Sequence, residues 1–157
     1  MAETPDPLKA RCDQEERAAP ISHALYRLNR SHRLAAAGLL RELGLFPGQE
    51  IMLSYLAEHG DQRQSALVLA LSIDPSTVTK MLQRLERSSL VLRRPCPEDR
   101  RVSLVAITVE GRALIDRITR CWRSLEERTT AGMTADDRTE LARLLALMEQ
   151  NLAGGND

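Results

Sequence analysis

Hydroxyl, amide, ammonium and guanidinium side chains recur over the nine residues that follow Pro75, with no carboxylate among them. Side chains of these types form the hydrogen bonds that base edges and phosphate oxygens require. This stretch therefore predicts contact with a nucleic acid, although a solvated helix face is the alternative. The candidate contacts are Ser76, Thr77, Thr79, Lys80, Gln83 and Arg84.

A helix is expected to position these groups. Asp74 is suited to cap its N-terminus, and Pro75 suits the first helical position, where its missing N–H costs nothing. At about 100° per residue, Val78, Leu82 and Leu85 fall on one apolar stripe, opposite the polar face. The long side chains have the reach for base edges, whereas the short hydroxyls near the N-terminus suit phosphates at the positive end of the helix dipole.

A β-hairpin with a basic tip is predicted directly after this helix. Two extended runs, Val91–Arg93 and Val102–Ile107, flank a turn rich in proline and charge. Asp99 is expected to orient the Arg101 guanidinium for entry into a minor groove, unless the two form only a solvated surface pair. More generic phosphate contacts are expected from Arg93, Arg94 and Arg100. The layout is that of a winged helix-turn-helix, whose helix enters the major groove.

Three motifs resemble those of the MarR family of bacterial transcriptional regulators. Residues 73–86 (IDPSTVTKMLQRLE) resemble its recognition helix, and residues 89–101 are similar to its GLVxRRxxPEDRR wing. The sequence ITVEG at residues 107–111 resembles the exit from that wing, and GLFPGQ at residues 44–49 also matches. The resemblance implies a sequence-specific regulator of transcription that binds double-stranded DNA, most simply a repressor released by a small molecule.

The helical pattern extends on both sides of these motifs. The expected elements are a long helix from Ile21 ended by Gly44, a helix from Pro47 to about His59, a short helix at Gln64–Leu71, a helix from about Val109 to Thr129, and a last helix capped by Thr134 and Asp137. The predicted fold class is mainly α with a small β-hairpin wing. Its parts are a flexible arm at residues 1–20, a helical dimerisation region at residues 21–45 and 109–157, and a winged helix-turn-helix at residues 46–108, together one intertwined domain.

The terminal helices carry more apolar surface than a compact winged helix needs to bury. The resemblance implies that a second subunit covers this surface in a symmetric homodimer. Such a dimer is expected to bind a pseudo-palindromic operator with half-sites about 34 Å apart.

The resemblance also implies a small anionic aromatic effector bound between the dimerisation helices and the winged region. His32 interrupts the apolar stripe of the first long helix and is a candidate contact. Its alternative role is that of a hydrogen-bonded core or interface histidine. His23 and Arg27 are further candidates for the same ligand.

The chain carries 22 basic and 22 acidic residues, but their distribution is uneven. Residues 73–104 contain seven basic against four acidic side chains, a net charge of +3, whereas residues 126–157 have a net charge of −4. A basic region of this kind favours DNA binding despite the neutral total. The N-terminus lacks the pattern of a signal peptide, and no apolar run is long enough for a membrane span, so a cytoplasmic location is expected.

The three cysteines, Cys12, Cys96 and Cys121, have unrelated spacings that encode neither a disulfide framework nor a zinc site, and no cofactor is expected. A thiol-based redox regulator of the same fold is an alternative, and Cys96 then has the best electrostatic case because of its neighbouring arginines, although an incidental cysteine is favoured. A winged-helix module for protein contacts is another. An enzyme is not expected, because Thr77-x-x-Lys80 only faintly resembles a Ser-x-x-Lys pair and its partner motifs are missing.

Overall fold

A computed structural model of the chain describes residues 16–97, 99 and 101–154. Much of the predicted arm, with Cys12, therefore lies outside the described residues, as does Arg100. The chain divides into two compact units, one ending at Cys121 and the other beginning at Trp122. No helix among the described residues is long and apolar enough to span a membrane.

The structure is mainly helical with one small antiparallel sheet, as the sequence predicted. Residues 16–18 are helical and precede the first long helix. The elements are α1 (Pro20–Arg41), α2 (Gln49–His59), β1 (Gln62–Arg63), α3 (Gln64–Leu71), α4 (Pro75–Arg87), β2 (Val91–Pro95), β3 (Ser103–Ile107), α5 (Val109–Ala113), α6 (Ile115–Thr129) and α7 (Ala135–Ala153).

The predicted hairpin is formed by β2 and β3, with Val91 opposite Ile107 and Pro95 opposite Ser103. A third strand, β1, adds to the other edge of β3 and gives the order β1-β3-β2. Strand β1 was not expected from the sequence, because two residues are too few to show an alternating pattern.

Local signals explain where α4 begins and how the turn before it is built. The Asp74 carboxylate accepts a hydrogen bond from the Thr77 backbone N–H at 2.9 Å, so the predicted cap is present. Ser72, the first residue of this turn, adopts left-handed backbone angles with φ 50°. Ser89 does the same at φ 57° after α4, where the chain turns into the wing.

The single helix predicted from Val109 to Thr129 is divided at Leu114, whose N–H donates to the Gly111 carbonyl at 3.1 Å. Gly111 packs so closely that a Cβ there would lie 2.2 Å from the Leu90 carbonyl oxygen. The short α5 therefore packs against the end of the wing. Thr108 stabilises this contact, since its hydroxyl caps α5 and donates to the Ser89 carbonyl at 2.8 Å.

The core of the first unit lies beneath α4 and the hairpin. The predicted stripe of Val78, Leu82 and Leu85 is at most 1 % exposed. The other members of this core are Leu40, Leu45, Met52, Leu53, Leu56, Leu67, Val91, Val105 and Ile118.

The second unit contains the last helix, α7, whose predicted capping box is present. The Thr134 hydroxyl accepts from the Asp137 N–H, and the Asp137 carboxylate accepts from the Thr134 N–H. None of the residues of α7 is buried, although the helix is rich in leucine.

Candidate nucleic-acid interface

The N-terminal end of α4 presents a hydrogen-bonded cluster around Asp74. The Ser76 hydroxyl donates to Asp74 Oδ1 at 2.7 Å, and the Thr77 N–H donates to the same oxygen. Hydrogen bonds from Thr77 and Ser76 hold the pKa of the Asp74 carboxyl well below its usual range. The cap therefore stays ionised, and the Ser76 hydroxyl has its proton engaged within the chain.

The predicted contacts on α4 differ in exposure. Ser76, Lys80, Gln83 and Arg84 are exposed, whereas Thr77 and Thr79 are half-buried. The Thr79 hydroxyl donates to the Pro75 carbonyl at 2.8 Å and accepts from Gln64 Nε2 at 2.8 Å. The face available to a ligand is therefore centred on Lys80, Gln83 and Arg84.

Arg84 has an aromatic partner that the sequence analysis missed. Its guanidinium carbon lies 4.7 Å from the centroid of the Phe46 ring, within the range of a cation–π contact. The Phe46 backbone N–H in turn donates to Oε1 of the buried Gln49 at 2.9 Å. This anchors the loop before α2 beside the exposed face of α4.

The same loop lies close to α4 at Gly48. A Cβ at this glycine would lie 2.4 Å from Met81 Cε, and its φ of 94° disfavours any other residue. This close approach brings Phe46 within reach of Arg84.

The predicted pair at the wing tip is present. Asp99 Oδ1 accepts from the Arg101 backbone N–H at 3.0 Å and from its Nε at 3.2 Å, and the Asp99 Oδ2 to Arg101 Nη2 distance is 3.4 Å. These bonds hold the pKa of Asp99 below its usual range. The Arg101 side chain is 92 % exposed, so it is oriented yet fully available to a partner.

The two arginines at the root of the wing are paired with acids that the sequence analysis did not assign. Arg93 donates from Nε to Glu86 Oε1 at 2.8 Å and from Nη2 to Gln64 Oε1 at 2.9 Å. Arg94 forms an ion pair with Asp61. These acids lie 7 and 33 residues from their arginines, so sequence spacing gave little indication of the pairing.

The candidate effector residues lie on α1. His23 and His32 are half-buried, and the exposed Arg27 forms an ion pair with Glu16 at 2.5 Å. An open groove of about 420 Å³ also lies along α1, and its described lining does not include these three residues. The lining consists of Tyr26, Asn29, Arg30, Arg33, Leu34, Ala37 and Pro47.

The two cysteines within the described residues are not exposed thiols. Cys96, which the sequence analysis favoured on electrostatic grounds, is only 6 % exposed. This burial weighs against the alternative of a redox-sensing thiol at Cys96, and sequence position alone does not report it. Cys121 is half-buried, with Sγ 3.9 Å from the Leu39 carbonyl oxygen.

These elements define a winged helix-turn-helix protein. The capped α4 follows α3 across a short turn, and a three-stranded sheet carries a hairpin whose tip presents an oriented arginine. Both features are typical of proteins that dock a helix in the major groove of DNA.

The model of the MarR family matches residues 49–103. The HTH-type transcriptional repressor IacR from Pseudomonas putida is 32 % identical over 114 residues, covering 73 % of this chain and 68 % of that protein. The chain belongs to the MarR family. It spans 63 % and 60 % of the length of two further curated transcriptional regulators that it matches.

Two solved structures are also similar. A mutant MarR from E. coli complexed with operator DNA has a TM-score of 0.74 and 25 % identity, covering 85 % of this chain and 96 % of that one. BpsR from Bordetella bronchiseptica, described for the regulation of its DNA binding by 6-hydroxynicotinic acid, has a TM-score of 0.71 and 27 % identity, covering 82 % of this chain and 92 % of that one.

Proposed function

We propose that the chain is a sequence-specific regulator that represses transcription by binding double-stranded DNA. The proposal rests on two exposed cationic features that lie in the same compact unit. Lys80, Gln83 and Arg84 form the exposed face of α4, and Arg101 projects from the wing with its guanidinium held by Asp99. The α4 residues read base edges in the major groove, while Arg101 enters the adjacent minor groove. Such a regulator works in the bacterial cytoplasm, where the chromosome lies.

The protein acts as a homodimer in this proposal. Exposed apolar side chains on α7 include Leu144, Leu145 and Leu152, which are 41–78 % exposed. The α1 helix exposes Ile21, Tyr26, Leu28 and Leu34 in the same way. Apolar surface on this scale favours burial against a second copy. A symmetric pair presents two α4 helices to half-sites about 34 Å apart.

A small anionic effector is proposed to release the operator. The α1 groove is lined by Arg30 and Arg33, which can form ion pairs with a carboxylate of the ligand. Tyr26 also lines the groove, and its ring can pack against an aromatic ring of the ligand. The likeness to BpsR supports this class of ligand, since 6-hydroxynicotinic acid is an aromatic acid.

Selection of bound fragments from the source genome, followed by mobility shift at several salt concentrations, tests DNA binding. A few fragments should be retained, and affinity should fall steeply with salt as counterions are released. Absence of binding to any genomic duplex at low salt would overturn the proposal and favour a module for protein contacts.

Sedimentation tests the dimer. The Leu144→Glu variant should sediment as a monomer and lose affinity for a two-half-site fragment, because a charge in the apolar contact opposes burial. The Gln150→Glu variant adds the same charge at an exposed polar position of α7 and should remain dimeric. A wild-type protein that stays monomeric at micromolar concentration would contradict this part of the proposal.

A further inference from the structure

Arg93 lies in the middle of β2, at the root of the wing, where it faces Val105 of β3 in the sheet register. Its guanidinium forms hydrogen bonds with two side chains of the same chain. Nε donates to Glu86 at 2.8 Å and Nη2 donates to Gln64 at 2.9 Å. The side chains of Arg93 and Glu86 are only 37 % and 30 % exposed.

Gln64 extends this connection to the other end of α4. Its carboxamide accepts from Arg93 and donates from Nε2 to the Thr79 hydroxyl at 2.8 Å. Thr79 and Glu86 lie seven residues apart on α4, about 10 Å along the helix axis. The root of the wing is therefore bonded to the recognition helix at two separated points, one direct and one through α3.

Two attachment points constrain rotation of the hairpin against α4, which one bond would not. The hairpin register places Arg101 about four residues beyond Arg93, or about 13 Å at the rise of a strand. A rotation of about 10° at the root would displace Arg101 by about 2 Å, more than a hydrogen bond tolerates.

We propose that Arg93 is a positioning residue, which through Glu86 and Gln64 sets the angle between the wing and α4 so that both grooves are engaged together. This inference rests on the DNA-binding function proposed above. It departs from the expectation that Arg93 is a generic phosphate contact, since Glu86 neutralises its charge and two of its N–H groups are already engaged.

The Glu86→Ala variant distinguishes the two roles by the sign of its effect. Loss of a negative charge beside a DNA-binding face should strengthen binding if electrostatics alone mattered. A positioning role predicts instead that operator affinity falls by about fivefold or more, as expected for the loss of one hydrogen-bonded restraint. Glu86→Gln should retain most of the affinity, because its amide oxygen still accepts from Arg93. Glu58→Ala, which removes an exposed glutamate from α2, serves as the matched control and should bind as wild type.

The Arg93→Gln variant supplies a second readout. A phosphate contact would reduce the slope of log Kd against log salt by about 0.9, whereas a positioning residue leaves the slope unchanged while affinity falls. The double variant Arg93→Gln with Glu86→Ala should lose no more affinity than the weaker-binding single variant.

Backbone ¹⁵N relaxation of the free protein tests the inference independently of DNA. Order parameters of residues 101–103 should fall in Glu86→Ala and in Arg93→Gln, with the melting temperature showing that each variant is folded. Unchanged order at the wing in both variants would overturn the inference whether or not the wild type binds DNA. Tighter binding by Glu86→Ala, or a reduced salt slope for Arg93→Gln, would also overturn it. Failure of the wild type to bind any duplex would instead defeat the proposed function.

Discussion

The Arg84 guanidinium stacks 4.7 Å above the ring of Phe46, although the two residues belong to α4 and to the loop before α2. The contact restricts an exposed cation on the face that we propose to read DNA. A restricted side chain loses less conformational freedom when it binds, so the stacking is expected to favour operator affinity.

Phe46→Leu should therefore weaken operator binding by about two- to fivefold, the range of an exposed cation–π contact of about 0.5–1 kcal/mol. Fluorescence anisotropy with a labelled operator measures the change. Phe46 is 58 % exposed, so the fold should survive. Val109→Ala, at a residue 82 % exposed on α5, should leave affinity unchanged. Equal affinity of Phe46→Leu and wild type would show that the contact does not contribute to binding.

Arg101→Ala should weaken operator binding by about tenfold or more, because it removes the charge and hydrogen bonds proposed for the minor groove. The dimer and the fold should be intact. Arg143→Ala provides the matched control, since Arg143 is also an exposed arginine held by a carboxylate, that of Glu140 on α7. Unchanged affinity in Arg101→Ala would remove the wing from the mechanism.

Ser89→Gly should raise the free energy of unfolding by about 0.5–1 kcal/mol. Ser89 adopts φ 57°, a left-handed conformation that costs a residue with a Cβ but not glycine. The neighbouring Ser88 has φ −88°, which any residue adopts. Ser88→Gly should instead destabilise the protein, because glycine raises the conformational entropy of the unfolded chain. Urea denaturation measures both variants, and a destabilised Ser89→Gly would contradict the assignment of strain.

Glu50→Gln should stabilise the protein by about 1 kcal/mol near neutral pH, because a neutral amide is less costly to bury than a carboxylate. Glu50 is 3 % exposed, and within the described part of the chain its Oε2 lacks a hydrogen-bond partner. Burial raises the pKa of this carboxyl above its usual value, while the backbone amides of Glu50 and Gly48 partly oppose the shift.

The sign of the pH dependence follows from that shift. The folded state holds the Glu50 proton more tightly than the unfolded chain, so its contribution to stability is fully present below the unfolded pKa of about 4.5 and is lost as pH rises through the folded pKa. The advantage of Glu50→Gln should therefore disappear towards pH 4. Glu58→Gln, at an exposed site on the same helix, should show no such trend. An advantage that persists unchanged at low pH would contradict the role of burial.

Local patterns in the sequence determined the elements of this protein. The bounds of α3 and the start of α4 were predicted closely, as were the capping box of α7 and the buried stripe of Val78, Leu82 and Leu85. Each depends on residues within about two helical turns of one another, where spacing alone specifies contact. The Asp99 and Arg101 pair was predictable for the same reason, since the two residues lie two apart.

Tertiary structure alone decided the contacts between separate elements that orient the side chains of the site. Arg93 forms a hydrogen bond with Gln64, 29 residues away in sequence. Phe46, in the loop before α2, contacts Arg84 of α4. Strand β1, the close approach of Gly48 to Met81 and the burial of Cys96 also depend on distant packing. Sequence spacing carries no signal for such contacts, because they form only when the core beneath α4 brings separate elements together.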